Sequence, residues 1–142
     1  MGAGKLGIAT AYFSIFKDED IDPAFKEIRE AKCDALVIFP DFTMYRLRQK
    51  LARLALEARM PAISGWSALA ESGLLFNYGP NIRAIYRRLG GYVDRILRGA
   101  RPDDLPVELP STIELVVNQE TARSLGVKVP PTILTRANRV IG

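Results

Sequence analysis

Ala35-Leu36-Val37-Ile38-Phe39 is an unbroken apolar run closed at once by Pro40-Asp41. Too short for a helix and without polar alternation, it predicts a strand covered on both faces, the kind that parallel sheets contain. Parallel neighbours cannot be joined by a tight turn and need crossover connections.

The rest of the chain supplies them. Leu6 to Ile15, rich in Ile, Ala, Tyr and Phe, reads as another buried strand, ended by the charges of Lys17-Asp18-Glu19-Asp20. Asp22-Pro23 predicts a helix start, with Asp22 capping free amides and Pro23 at the first helical position. Phe25, Ile28 and Ala31 then share a face. From Thr43 to Arg59 the residues Leu47, Leu51, Leu54, Ala55 and Ala58 recur at helical spacing, with Arg46, Gln49, Lys50, Arg53 and Glu57 opposite, which predicts one long helix. Pro61 to Ser64 reads as a strand, Ser67 to Ser72 as a small helix ended by Gly73, and Leu74 to Tyr78 as a strand stopped by Gly79-Pro80.

Asn81 caps a predicted helix to Arg98 whose apolar stripe is Ile82, Ile85, Tyr86, Leu89, Val93, Ile96 and Leu97. Gly90-Gly91 inside it costs about 1 kcal/mol per glycine relative to alanine, which close packing on another backbone would explain. Gly99 to Pro110, with Pro102, Pro106 and Pro110, is an extended connector. Thr112 to Val117 predicts a strand and Glu120 to Leu125 a helix ended by Gly126. Pro130-Pro131 then opens a last helical turn around Ile133 to Val140. Alternating strands and helices imply an α/β fold, a three-layer sandwich with a mostly parallel sheet.

Composition narrows the chemistry. A chain of 142 residues fits one domain. It has no histidine, so the usual general base and commonest metal ligand are missing, and Cys33 is alone. No catalytic residue, metal site or cofactor is expected. No segment approaches the roughly 20 apolar residues of a membrane span, and no signal-peptide pattern is expected at the start. The net charge of +4 is concentrated in Arg83, Arg87, Arg88, Arg95, Arg98 and Arg101. Without an accompanying nucleic-acid motif, these arginines read as a solvated helix face or as ion-pair partners of another domain, and no nucleic-acid partner is expected. Gly2-Ala3-Gly4-Lys5-Leu6-Gly7 matches the letters of a dinucleotide fingerprint, but no strand precedes it. It reads instead as a helix end closed by Gly7 in the left-handed region.

Two turns are candidate ligand positions, because ligands of open α/β sheets sit beyond the carboxyl ends of the strands. Asp41-Phe42 follows the first apolar run, and Ser64-Gly65-Trp66 follows the next strand. Asp41 either caps the following helix or meets a ligand ammonium, and Trp66 either packs in the core or joins Phe42 in enclosing an apolar group.

Four blocks carry a resemblance: Leu74 to Pro80 (LLFNYGP), Tyr92 to Glu108 (YVDRILRGARPDDLPVE), Ile113 to Asn118 (IELVVN) and Thr121 to Gly126 (TARSLG). In order and spacing they resemble the C-terminal half of the ABC transporter substrate-binding proteins that include tryptophan- and tyrosine-uptake members. The likeness continues through Cys33 to Ile38 and Met60 to Ile63.

The resemblance implies one lobe of a two-lobed, type I periplasmic-binding fold that closes on a small solute and delivers it to ABC permease subunits outside the cytoplasm. It implies second-lobe core over 1–73, a strand and helix over 74–104 resembling part of the missing first lobe, and a connector returning to the second lobe over 105–142. A homodimer covering the apolar stripe of the Asn81–Arg98 helix is the expectation for such a lobe alone. The ligand positions carried over are Asp41, Phe42, Asn77 and Tyr78, with Ser64 and Trp66 where many relatives have an acidic and an aromatic residue. The aromatic is kept and the acid is not. The solute class implied is an amino acid, and the alternative in another class is a ligand-sensing regulatory domain of the same fold.

Overall fold

The computed structural model describes residues 3–142, so Gly2 of the glycine-rich start lies outside it. Leu36–Ile38 (β1), Ala62–Ser64 (β2), Phe76–Pro80 (β3), Ile113–Asn118 (β4) and Arg139–Ile141 (β5) form one sheet whose spatial order follows chain order. β1, β2 and β3 run parallel, β4 is antiparallel to β3, and β5 is parallel to β4. Helices lie on both faces. Val116 and Val117, neighbours that point to opposite faces of β4, are accordingly both fully buried.

Register places Leu36, Ile38, Ala62, Ser64 and Asn77 on a single face. Against the first three pack Ile21–Glu30 (α1), Phe42–Arg46 (α2), Arg48–Glu57 (α3) and Ser67–Glu71 (α4), through Ile21, Phe25, Met44, Leu51, Ala52, Ala55 and Leu69. Each large apolar side chain buried there contributes about 1.5–3 kcal/mol. Lys50 of α3 ties this layer to α1 through Asp18 at 2.7 Å and Asp22 at 2.9 Å.

β3 sits between β2 and β4 and is rooted in this sheet. The chain then leaves as α5 (Ile82–Leu97), capped by Asn81, whose side chain accepts from the Ala84 amide at 2.8 Å and donates to the Glu114 carboxylate at 3.0 Å. No residue of α5 is fully buried, and Leu89 and Val93 of its apolar stripe are 49% and 55% exposed. α6 (Gln119–Leu125) is capped by Asn118 and closed by Gly126 at φ +71°. α7 (Pro131–Arg136) precedes β5.

Several expectations are corrected. The strand expected over Leu6 to Ile15 does not form: Ile8 to Phe16 is mostly exposed, and among the described residues no strand lies beside it to satisfy its amides and carbonyls. The turn before it, Ala3–Leu6, is closed by Gly7 at φ +69°. The first helix starts at Ile21, so Asp22 lies in its first turn and pairs with Lys50, while Asp20 binds the Phe16 and Lys17 amides. Ala31 lies past the end of that helix and is exposed.

β1 is an edge strand covered on a single face, leaving Val37 65% and Phe39 72% exposed. The long helix predicted from Thr43 breaks at Leu47 into α2 and α3. Nothing lies within 4 Å of a Cβ built on Gly90 or Gly91, so no close backbone contact accounts for them. The last helical turn ends at Arg136, and Arg139 to Ile141 is a strand, drawn into the sheet by the exposed edge of β4.

Candidate functional site

The carboxyl ends of β1, β2 and β3 come together at one edge of the sheet, where a Cβ on Gly65 would lie 3.1 Å from Pro40 Cγ and Gly79 abuts the Gly65 backbone. Two of the candidate turns emerge here. Asp41 is the N-cap of α2 in extended conformation, and its Oδ1 accepts from the Met44 amide at 2.8 Å. The capping role is therefore real. Its other carboxylate oxygen has no protein hydrogen bond among the described residues.

Phe42 is the first residue of α2 and is 78% exposed. Trp66, next to the start of α4, is half-buried against the core cluster and meets Phe42 nearly edge-on, with ring centroids 5.9 Å apart at 69°. Tyr45 meets the same indole at 6.3 Å and 66°. Trp66 thus packs against the core cluster and also meets two exposed rings.

Ser64 and Asn77 lie behind this edge. Ser64 is buried and its hydroxyl donates to the Ile38 carbonyl at 2.8 Å. Asn77 is 0% exposed, and its Nδ2 donates to the Glu114 carbonyl at 3.3 Å while its Oδ1 has no partner. Both side chains take carbonyls of neighbouring strands near the ends of their pairings. Tyr78 is exposed on the opposite face of β3. The six candidates therefore divide into exposed Asp41 and Phe42 with half-buried Trp66, a buried pair beneath them, and Tyr78 apart.

Tyr45 and Arg48 were missed by sequence reasoning. The two are three residues apart, but the expectation of one unbroken helix from Thr43 hid the break at Leu47 that brings them together. Beyond the sheet, α5 and residues 106–112 border a groove of about 500 Å³ lined by Ile85, Leu89, Tyr92 and Val107 among others. Arg88 binds the Glu108 carboxylate there, and the Tyr92 hydroxyl donates to the Pro106 carbonyl at 2.7 Å. The Arg88 hydrogen bond holds the Glu108 carboxyl below its ordinary range, and burial, reinforced by Glu108, raises the Tyr92 phenol. Among the described residues no group of three or more His, Cys, Asp or Glu could hold a metal ion, and no helix is long and apolar enough to cross a membrane.

The sequence pattern of the ABC transporter substrate binding proteins matches residues 1–141. The chain belongs to this family. No curated protein sequence matches the chain. Among solved structures, a conserved domain protein from Vibrio cholerae is 28% identical with a TM-score of 0.88, over 97% of this chain and 46% of that one. An ABC domain in complex with L-Trp from Streptococcus pneumonia is 25% identical, again with a TM-score of 0.88, over 98% of this chain and 47% of that one.

A substrate binding protein with adhesive properties from Clostridium difficile, in a ligand-free, open structure, shares the fold at 22% identity and a TM-score of 0.67, over 98% of this chain and 46% of that one. The chain spans about half the length of these proteins. One lobe of a periplasmic-binding-protein-like fold is what that coverage and the mostly parallel sheet amount to. A small-molecule solute is the role the family carries.

Proposed function

We propose that this chain is the solute-gripping lobe of an ABC importer's substrate-binding protein, holding an amino acid between two lobes for delivery to a permease outside the cytoplasm. The observation that carries this is the Phe42–Trp66 pair beside the free oxygen of Asp41, at the carboxyl ends of adjacent parallel strands. A carboxylate with one unused oxygen suits an ammonium, and two rings at a steep angle suit an apolar or aromatic side chain. The L-Trp complex of the pneumococcal relative supports the same class.

In this proposal Ser64 and Asn77 brace the site from below, and Tyr78 borders the path to the other lobe. Residues 74–104 then cross toward that lobe from a strand rooted here, and 105–142 return. The exposed stripe of α5 is the surface for the other lobe, or for a second copy when the lobe is alone.

The test is calorimetric titration of the protein with the amino acids, in the two-lobed protein and in this chain. Binding of at least one apolar or aromatic amino acid, tighter with both lobes and lost in Asp41→Ala, is expected. No binding of any amino acid by the two-lobed protein would sink the proposal.

A further inference from the structure

α3 carries three cations near its start, and two are neutralised: Lys50 by Asp18 and Asp22, and Arg53 by Glu57. Among the described residues no carboxylate lies within ion-pair distance of Arg48. Its guanidinium instead stacks over the Tyr45 ring, 4.5 Å from the centroid, while Nη1 donates to the Tyr45 carbonyl at 2.8 Å. The break at Leu47, with φ −94° and ψ 7°, turns the chain from α2 into α3 and brings Arg48 back over Tyr45. One side chain thus holds both the backbone and the ring of one tyrosine. Tyr45 in turn meets Trp66 edge-on, and Trp66 meets Phe42. Partly exposed rings on a short helix have rotamers to choose among, and a ring pinned by a guanidinium loses that choice.

We infer that Arg48 is a positioning residue for the solute site: by clamping Tyr45 it sets the Trp66 ring, and with it the angle at which Trp66 and Phe42 meet a flat apolar or aromatic group. The effect on the solute rests on the function proposed above, whereas the clamp does not. Solutes with a ring depend on the clamp, and solutes as small as alanine do not.

Trp66 is the sole tryptophan, so the longest-wavelength near-ultraviolet circular dichroism band, and fluorescence excited beyond tyrosine absorption, report this ring alone. Without added solute, Arg48→Met and Tyr45→Leu should each weaken that band with far-ultraviolet spectra unchanged. The double variant should go no further than either single change, because the two act in series. Arg48→Lys keeps a charge for the ring but lacks the planar fork, and should fall between.

In titrations, Arg48→Met should bind L-phenylalanine roughly twofold to fivefold more weakly, the range of an exposed cation–π contact, and L-alanine unchanged. A wild-type Trp66 band in well-folded Arg48→Met, or additive effects in the double variant, overturns the clamp. The expected spectral series in a protein that binds neither amino acid supports the clamp and counts against the solute class.

Discussion

Gly79 lies against Gly65 so closely that a Cβ on Gly79 would stand 2.8 Å from Gly65 Cα and collide with the Gly65 carbonyl oxygen. The obstacle is backbone, which cannot rotate away. Gly79→Ala must therefore spread β3 from the β2 turn that carries Trp66, at a cost of about 2–3 kcal/mol. Urea unfolding should show that loss, with Trp66 emission shifted in the folded state. A variant as stable as the parent would mean the two turns are not in contact in solution.

Asp41 both caps α2 and offers a charge, and two substitutions separate the roles. Asp41→Asn keeps an acceptor for the Met44 amide and should leave stability nearly unchanged. Asp41→Ala loses the cap and should cost about 1 kcal/mol. Both remove the carboxylate, so both should abolish measurable binding of an amino acid whose ammonium it meets. Binding kept in the Asn variant would leave Asp41 with the cap alone.

Asn77 is buried with an unpaired acceptor, which makes its replacements unequal. Asn77→Val removes the orphan oxygen along with a long hydrogen bond, and should stay within about 1 kcal/mol of the parent. Asn77→Asp buries a charge without a partner and should cost about 3 kcal/mol or more at neutral pH. Equal stabilities for the two would show that water reaches this position.

The contact between α5 and residues 106–112 should depend on pH and salt. Arg88 depresses the Glu108 carboxyl in the folded chain, so this pair stabilises fully above the ordinary carboxylate range and loses its effect as pH falls through the depressed value. Tyr92, raised by burial, acts at the other end: its contribution is complete below the ordinary phenol range and is lost as pH rises through the raised value. Hydrogen-exchange protection of residues 106–112, relative to the intrinsic rate at each pH, should be greatest between these limits and smaller in high salt, since Arg88 is largely exposed. Protection that stays constant across acid, neutral and alkaline pH would show that the pair does not hold the segment.

Of the candidate site, the position of Asp41, Phe42 and Trp66 beyond the strand ends was legible because each follows an apolar run, and the end of a parallel strand is where ligands gather. The depth of Ser64 and Asn77 was not, since a strand residue's burial depends on what packs over its face. The Tyr45–Arg48 clamp was hidden by the break at Leu47, which the unbroken helical spacing of Leu47, Leu51 and Leu54 conceals.

The amino-acid order by itself determined where most of the helices lie and several of their ends, because a helix satisfies its amides within its own segment and its ends with nearby side chains. Asn81, Asn118 and Gly126 act where their residue types say they should. It also carried the family, through blocks spread along the chain. Tertiary structure alone decided what depends on a partner distant in sequence. Ile8 to Phe16 has strand-forming residues and no strand beside it, whereas Arg139 to Ile141 became a strand because β4 offered an edge. A strand's hydrogen bonds belong to its neighbour, and no local pattern can supply them.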